Sequence, residues 1–101
     1  MVIKSELSQD GKVLTLGIPD RFDISLFQSF TAAYKDKIES ISKIVIDMSN
    51  THYIDSSALG MLMLMRERAG GDTAKIDIVK SSPNVKKILV IANFQKLFNI
   101  E

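Results

Sequence analysis

Asp55, Ser56 and Ser57 stand in a row at the head of the most apolar segment of the chain, "YIDSSALGMLMLM". A serine hydroxyl at the start of a helix has three uses: it caps the helix, binds a ligand, or accepts a phosphoryl group. Capping is the default. Asp55 is itself able to cap, so one or both hydroxyls are left free. A phosphoryl group there adds about −1.5 to −2 charges. Beside unsatisfied backbone N–H groups and the positive helix end, such an anion is tolerated or favoured by up to ~2 kcal/mol. The fold is expected to persist while the surface changes. A partner docking there would have to desolvate a dianion next to Asp55, and a loss of ~4 kcal/mol at an interface weakens binding about a thousandfold.

Other chemistry has weaker support. His52 is the single histidine and there are no cysteines, so no cysteine or second histidine completes a metal set, and thiolate catalysis and disulfides are excluded. A hydrolase with Ser56 as nucleophile and His52 as base lacks the glycines of a nucleophile elbow and an obvious residue to orient the imidazole. Gly70-Gly71 ends a helix instead of opening one, so no phosphate-cradling loop is present. Asp20, Asp23, Asp47 and Asp55 could supply Mg²⁺ ligands or an acid–base pair, but Asp23 and Asp55 fall where helix caps belong and Asp47 at a strand end. No cofactor is expected.

The methionine run covers most of a helix circumference. Leu59, Leu62 and Met63 form one stripe facing the sheet, which turns Met61, Leu64 and Met65 outward or sideways. Flexible, polarisable methionines on that side suit a surface that repacks against a partner.

These residues are positioned by an ordinary globular chain. Its 101 residues suffice for one domain, 1–101, with 46% hydrophobic and 25% charged residues. A net charge of +1 gives no electrostatic case for nucleic acid or a membrane surface as partner. The N-terminus lacks a signal-peptide pattern and no apolar run is long enough to span a bilayer, so a cytoplasmic address is expected. Asp10-Gly11 predicts a hairpin with Ile3, Ser5 and Leu7 on one face of its first strand and Leu14, Leu16 and Ile18 on one face of its second. Leu26, Phe27, Phe30, Tyr34 and Ile38 recur at helical spacing after a cap at Asp23 or Ser25. "KIVIDM" reads as a strand covered on both faces. The next helix starts at Asp55–Ser57 and stops at Gly70-Gly71. "KIDIVK" reads as another strand. Ser82 and Pro83 open a last helix with Val85, Ile88, Leu89 and Ala92 as its stripe. "FQKLFNIE" reads as a short edge strand. The order β-β-α-β-α-β-α, with that last strand, implies an α/β fold: a mixed sheet with helices packed on it.

"IVIDMSNTHYIDSSALGML" resembles the central segment of STAS domains, the family that includes bacterial anti-sigma factor antagonists. Its pattern is an apolar strand, a short turn, then Asp-Ser-Ser/Thr-Gly-Leu-Gly leading into a helix. "SPNVKKILVIANFQKLFNI" resembles the later Ser-Pro-x-Val helix and "GIPDRFDIS" the turn after the second strand. The likeness covers almost the whole chain in order. It is similar to the stand-alone antagonists that connect phosphorelay signalling to motility, secretion and biofilm control in Gram-negative bacteria.

The resemblance implies a STAS fold with Ser56 as phosphoacceptor, Asp23 matching the family aspartate near that site and Asp55 the one just before it. With Ser57 as the alternate acceptor and the methionine face read above, the expected partner surface is Asp23, Asp55, Ser56, Ser57, Ala58, Met61, Leu64 and Met65. It implies protein partners: an anti-sigma factor, often itself the serine kinase, bound by the unphosphorylated form so that a sigma factor is freed, and a PPM-type phosphatase that resets the switch. Three departures stand out: Ala58 replaces the usual glycine, Asp20 stands where a glycine often precedes the turn, and the chain stops at Glu101, before the family's usual last helix. The shortened C-terminus is expected to leave part of the sheet or core less covered. A second reading is a STAS subunit of a lipid or solute transporter, docking its ATPase through the same surface.

Overall fold

The computed structural model describes residues 2–101. Strands β1 (Lys4–Leu7) and β2 (Val13–Gly17) form the expected hairpin, with Gly11 in the left-handed region at φ 73°. A two-residue strand β3 (Arg21–Phe22) comes next, then a 3₁₀ turn (Ile24–Leu26) that runs into helix α1 (Phe27–Lys35). Strand β4 (Lys43–Asp47), strand β5 (Tyr53–Ile54), helix α2 (Ser56–Arg68), strand β6 (Ile76–Val79), helix α3 (Pro83–Ile91) and strand β7 (Asn99–Ile100) complete the chain. The main sheet has the order β1-β2-β4-β6-β7, antiparallel at the hairpin and parallel elsewhere, while β3 and β5 pair separately.

From β2 the strand order moves in one direction only. With one hand of crossover, such an order puts α1, α2 and α3 on the same face of the sheet. Burial agrees. Leu14 and Leu16 on β2, Ile44 and Ile46 on β4, and Ile76 and Ile78 on β6 are buried in one cluster with Phe30, Tyr34, Leu62, Met65, Val85 and Leu89 of the helices. Residues of opposite pleat, Thr15 and Val45, are half-buried. The expectation that "KIVIDM" is covered on both faces is therefore corrected: β4 is half-open on the face without helices. On that face Asp77 is nearly buried, and Lys43 Nζ meets its Oδ2 at 2.7 Å.

Local signals end the elements where they should. Gly70 has φ 118°, and a Cβ there would meet Thr73 Oγ1 at 2.6 Å, so α2 stops before it. Ser82 caps α3, its side chain accepting from the Val85 N–H, with Pro83 in the first turn. The C-terminal residues form the expected edge strand, and Phe94 and Phe98 stack at 5.1 Å and bury against the core. Phe27, predicted in the apolar stripe of α1, is 40% exposed because the chain enters the helix through the 3₁₀ turn.

The phase of α2 also differs from expectation. Its buried residues are Ala58, Met61, Leu62, Met65 and Arg66, the i, i+3, i+4, i+7, i+8 stripe of one helical face. Leu59, Met63 and Leu64 are half-buried. Met61 and Met65 thus belong to the core, not to an outward face. Arg66 extends the stripe because its charge is matched: Nε donates to the Leu97 carbonyl at 3.2 Å and Nη2 to Asp72 at 3.0 Å, tying α2 to the C-terminal segment.

Rotation of the helix by one residue is measurable. Met65→Ala is expected to lower the unfolding free energy by about 2–5 kcal/mol in urea denaturation. Leu64→Ala should cost less than about 1 kcal/mol. The reverse order would mean that Leu64, not Met65, faces the sheet.

Candidate functional site

Two turns meet at the end of the sheet where β2 and β4 finish. The parallel pairing of β3 with β5 sets Arg21 opposite Tyr53 and Phe22 opposite Ile54, so the next residues, Asp23 and Asp55, emerge side by side. Phe22 and Ile54 are buried and fix the pairing to the core. Beneath it, the Asp20 carbonyl accepts from the backbone N–H groups of His52 and Tyr53 at 2.9 and 3.1 Å, and the buried Thr51 hydroxyl donates to the Ile18 carbonyl at 3.1 Å.

Both aspartates are extended, and each caps a helical turn: Asp23 the 3₁₀ turn before α1, Asp55 the start of α2. Asp23 Oδ1 accepts from Ser25 N–H at 3.0 Å and from Ser25 Oγ at 2.5 Å. Asp55 Oδ1 accepts from Ala58 N–H at 3.1 Å and from Ser57 Oγ at 2.6 Å. The Ser25 hydroxyl holds the Asp23 carboxyl below its ordinary pKa, with help from the Ser25 N–H. The Ser57 hydroxyl, then the Ala58 N–H, do the same for Asp55, against the opposing effects of desolvation and of the neighbouring Asp23 charge. Two carboxylates therefore stand ionised at the head of α2 near neutral pH.

The two serines are not equivalent. Ser57 is half-buried and its hydroxyl is engaged by the cap. Ser56 is exposed, and its hydroxyl makes no hydrogen bond with a described residue. It is the first residue of α2, beside the positive end of the helix.

Of the residues singled out in the sequence, Asp23, Asp55, Ser56 and Ser57 come together. Leu64 is half-exposed along α2. Ala58 is fully buried, and Met61 and Met65 lie in the core, so none of these three lines the surface. Exposed apolar side chains lie instead at positions that the sequence pattern did not assign to the surface. Ile24 is 65% exposed, Phe27 and Tyr53 each 40%, and the Arg21 guanidinium lies over the Tyr53 ring at 4.2 Å while its Nε meets Asp23 Oδ2 at 3.5 Å. The signal was a repeated Asp-x-Ser: in Asp23-Ile24-Ser25 and Asp55-Ser56-Ser57 the middle residue of each turn faces outward, placing an apolar side chain in one turn and a free hydroxyl in the other.

The hydrolase and metal readings do not fit. His52 Nδ1 is held by Asp20 Oδ1 at 2.7 Å, so an orienting carboxylate does exist. But β5 and Asp55 separate the imidazole from Ser56, and four residues of largely extended chain span about 13 Å. Among the described residues no three acidic or imidazole side chains group as metal ligands. No helix among them is long and apolar enough to cross a membrane.

Residues 5–99 match the protein family described as "Mlab, STAS domain". A STAS-domain containing protein of Pseudomonas aeruginosa strain UCBPP-PA14 is 46% identical over 100 residues, covering 99% of either chain. Among solved structures, the STAS domain of an antisigma-factor antagonist from Rhodobacter sphaeroides is 32% identical with a TM-score of 0.57, over 80% of this chain and 90% of that one. The Bacillus cell fate determinant SpoIIAA in its phosphorylated form is 12% identical with a TM-score of 0.76, over 99% and 91% of the two chains.

The cap carries a pH signature. Asp55 has a lowered folded pKa, so its contribution to stability is complete above the unfolded value of 3.8 and fades as pH falls through the lower folded value. Asp55→Asn, which keeps a capping oxygen but does not titrate, should be less stable than wild type at pH 6 to 7. The gap should narrow as pH falls below 3.8 in urea titrations across pH. A gap that stayed constant down to pH 2 would remove the charged cap.

Proposed function

The chain belongs to the STAS domain family, and from that membership we propose that it is an anti-sigma factor antagonist whose docking surface is switched by phosphorylation of Ser56. Proteins of this family and fold are regulators rather than catalysts, and this chain is not an enzyme. One observation carries the assignment of Ser56. Its hydroxyl is exposed and unbonded among the described residues, while the cap at the same helix start is already made by Asp55 with Ser57 and Ala58.

The switch works through solvation. Unphosphorylated, the surface presents a small hydroxyl next to the ionised Asp55, with Asp23 on the neighbouring turn and Ile24, Phe27 and Tyr53 as exposed apolar side chains. An anti-sigma factor, or an anti-sigma factor that is itself the serine kinase, docks there, and a sigma factor is released. A cytosolic kinase transfers the γ-phosphoryl group of ATP to Ser56 Oγ, the hydroxyl proton is lost, and ADP leaves. The new dianion joins Asp23 and Asp55 in one patch. In water it is screened and hydrated; under a partner it has to be stripped of that hydration. The partner dissociates, and a PPM-type phosphatase hydrolyses the ester. Among fold neighbours, SpoIIAA has been solved in a phosphorylated form, in keeping with this reading.

The test is a labelling experiment with the cognate kinase and ATP. Wild type and Ser57→Ala should be labelled and Ser56→Ala should not. Ser56→Asp should lose partner binding while its unfolding free energy stays within about 1 kcal/mol of wild type. Equal labelling of Ser56→Ala would remove the site. Co-purification with a membrane transporter and its ATPase, in place of a kinase or anti-sigma factor, would favour the transporter-subunit reading of the same surface.

A further inference from the structure

The outer edge of the sheet carries a second surface, far in character from the Ser56 turn. Among the described residues β1 is the last strand on its side, paired only with β2. Ser8 N–H donates to the Val13 carbonyl at 2.8 Å, in register with the ladder that sets Glu6 opposite Thr15 and Lys4 opposite Gly17. Antiparallel ladders alternate bonded and non-bonded pairs. Lys4 and Glu6 therefore spend their backbone groups on β2, and Ile3, Ser5 and Leu7 point theirs at the free edge. An edge of this kind is a template for another strand.

We propose that the occupant is a second copy of this chain: β1 of one copy pairs antiparallel with β1 of the other about a two-fold axis at Ser5. That axis sets Ser5 opposite Ser5 and Ile3 opposite Leu7, so the outward backbone groups of both strands fall in hydrogen-bonding pairs. It also sets Lys4 opposite Glu6 twice, in the closer non-hydrogen-bonded positions. Neither side chain makes an ion pair with a described residue, and both are exposed. Leu7, 45% exposed, would be covered by Ile3 of the other copy. Moving the axis to Ile3 or Leu7 keeps the backbone phase but separates every Lys4 from every Glu6. A lone lysine on an edge strand guards against self-pairing. The glutamate two residues later turns that guard into a self-complementary code. Gly17 opposite leaves room for Lys4, since a Cβ there would lie 3.3 Å from the Lys4 Cβ.

Neither Ser56 nor any kinase bears on this pairing, and its test uses the purified chain alone. Sedimentation equilibrium up to ~1 mM protein should show wild type entering a monomer–dimer equilibrium. Lys4→Glu and Glu6→Lys, each of which places like charges opposite one another twice, should each weaken the dimer about tenfold or more. The double variant K4E/E6K should restore it to within about threefold of wild type, since only the direction of each ion pair is reversed. The chain has no cysteine. A mixture of K4C with E6C should therefore give a disulfide-linked dimer on mild oxidation, and either variant alone should not, because equivalent residues lie roughly 8 Å apart across the axis. Wild type remaining monomeric throughout, a double variant no better than the single ones, or equal cross-linking of either cysteine variant alone would each overturn the proposal.

Discussion

Phe22 and Ile54 face each other on one rung of a parallel ladder only two residues long, and both side chains are driven into the core. A ladder that short has almost no stability of its own. It exists because burial of two large apolar groups, worth about 1.5–3 kcal/mol each when complete, fixes its strands to the main body. The backbone then has no freedom in where it places the next residue of each strand. Two loops distant in sequence are delivered to one spot, with their aspartates in the same extended conformation.

That placement produces a division of labour within a single helix turn. The carboxylate of Asp55 and the hydroxyl of Ser57 are spent on the cap, and Ala58 is spent on packing. Ser56 is the residue left over. A helix start that depended on Ser56 for its cap could not have that oxygen esterified without fraying. Here the cap and the exposed hydroxyl belong to different residues, so the proposed modification of Ser56 would leave the cap intact. The same logic suits Ala58, set against the glycine that the resemblance leads one to expect there. The position is fully enclosed, a methyl group fits it, and a better helix former replaces a poorer one.

Much of this was legible in the residues. The hairpin, the caps at Asp23, Asp55 and Ser82, the stop at Gly70-Gly71 and the alternation of β2 depend on local chemistry, and local chemistry is what a sequence displays. The phase of α2 was not, because leucine or methionine fills every position from 61 to 65 and an unbroken apolar run has no direction. The outer face was marked instead by what is not apolar. Ser56, Gly60 and Glu67 are all exposed and share one side of the helix, which turns Met63 and Leu64 toward solvent and Met61, Leu62 and Met65 inward. The half-open face of β4 was equally hidden, since "KIVID" offers the same β-branched run to either kind of sheet. Pairing of β3 with β5 joins residues 32 apart through two-residue strands, too short for any periodicity to show.

The electrostatics of the site explain why a switch can act here without moving the chain. Asp23 and Asp55 remain charged because hydroxyls and N–H groups of their own turns bond them, not because a cation neutralises them both; only Asp23 has an arginine nearby. Their negative potential therefore reaches solvent. A third anion added at Ser56 would meet repulsion from them, but at an exposed position water and salt reduce that repulsion sharply, over a Debye length of about 8 Å. The helix end opposes it further, since the first N–H groups of α2 favour negative charge. The free chain thus gains or loses little. An approaching protein removes the water, lowers the local dielectric and restores the repulsion in full, together with the hydration lost by each ion. In the proposed switch, the asymmetry between an exposed and a covered dianion would convert one ester bond into a choice of partners without a second conformation of the fold.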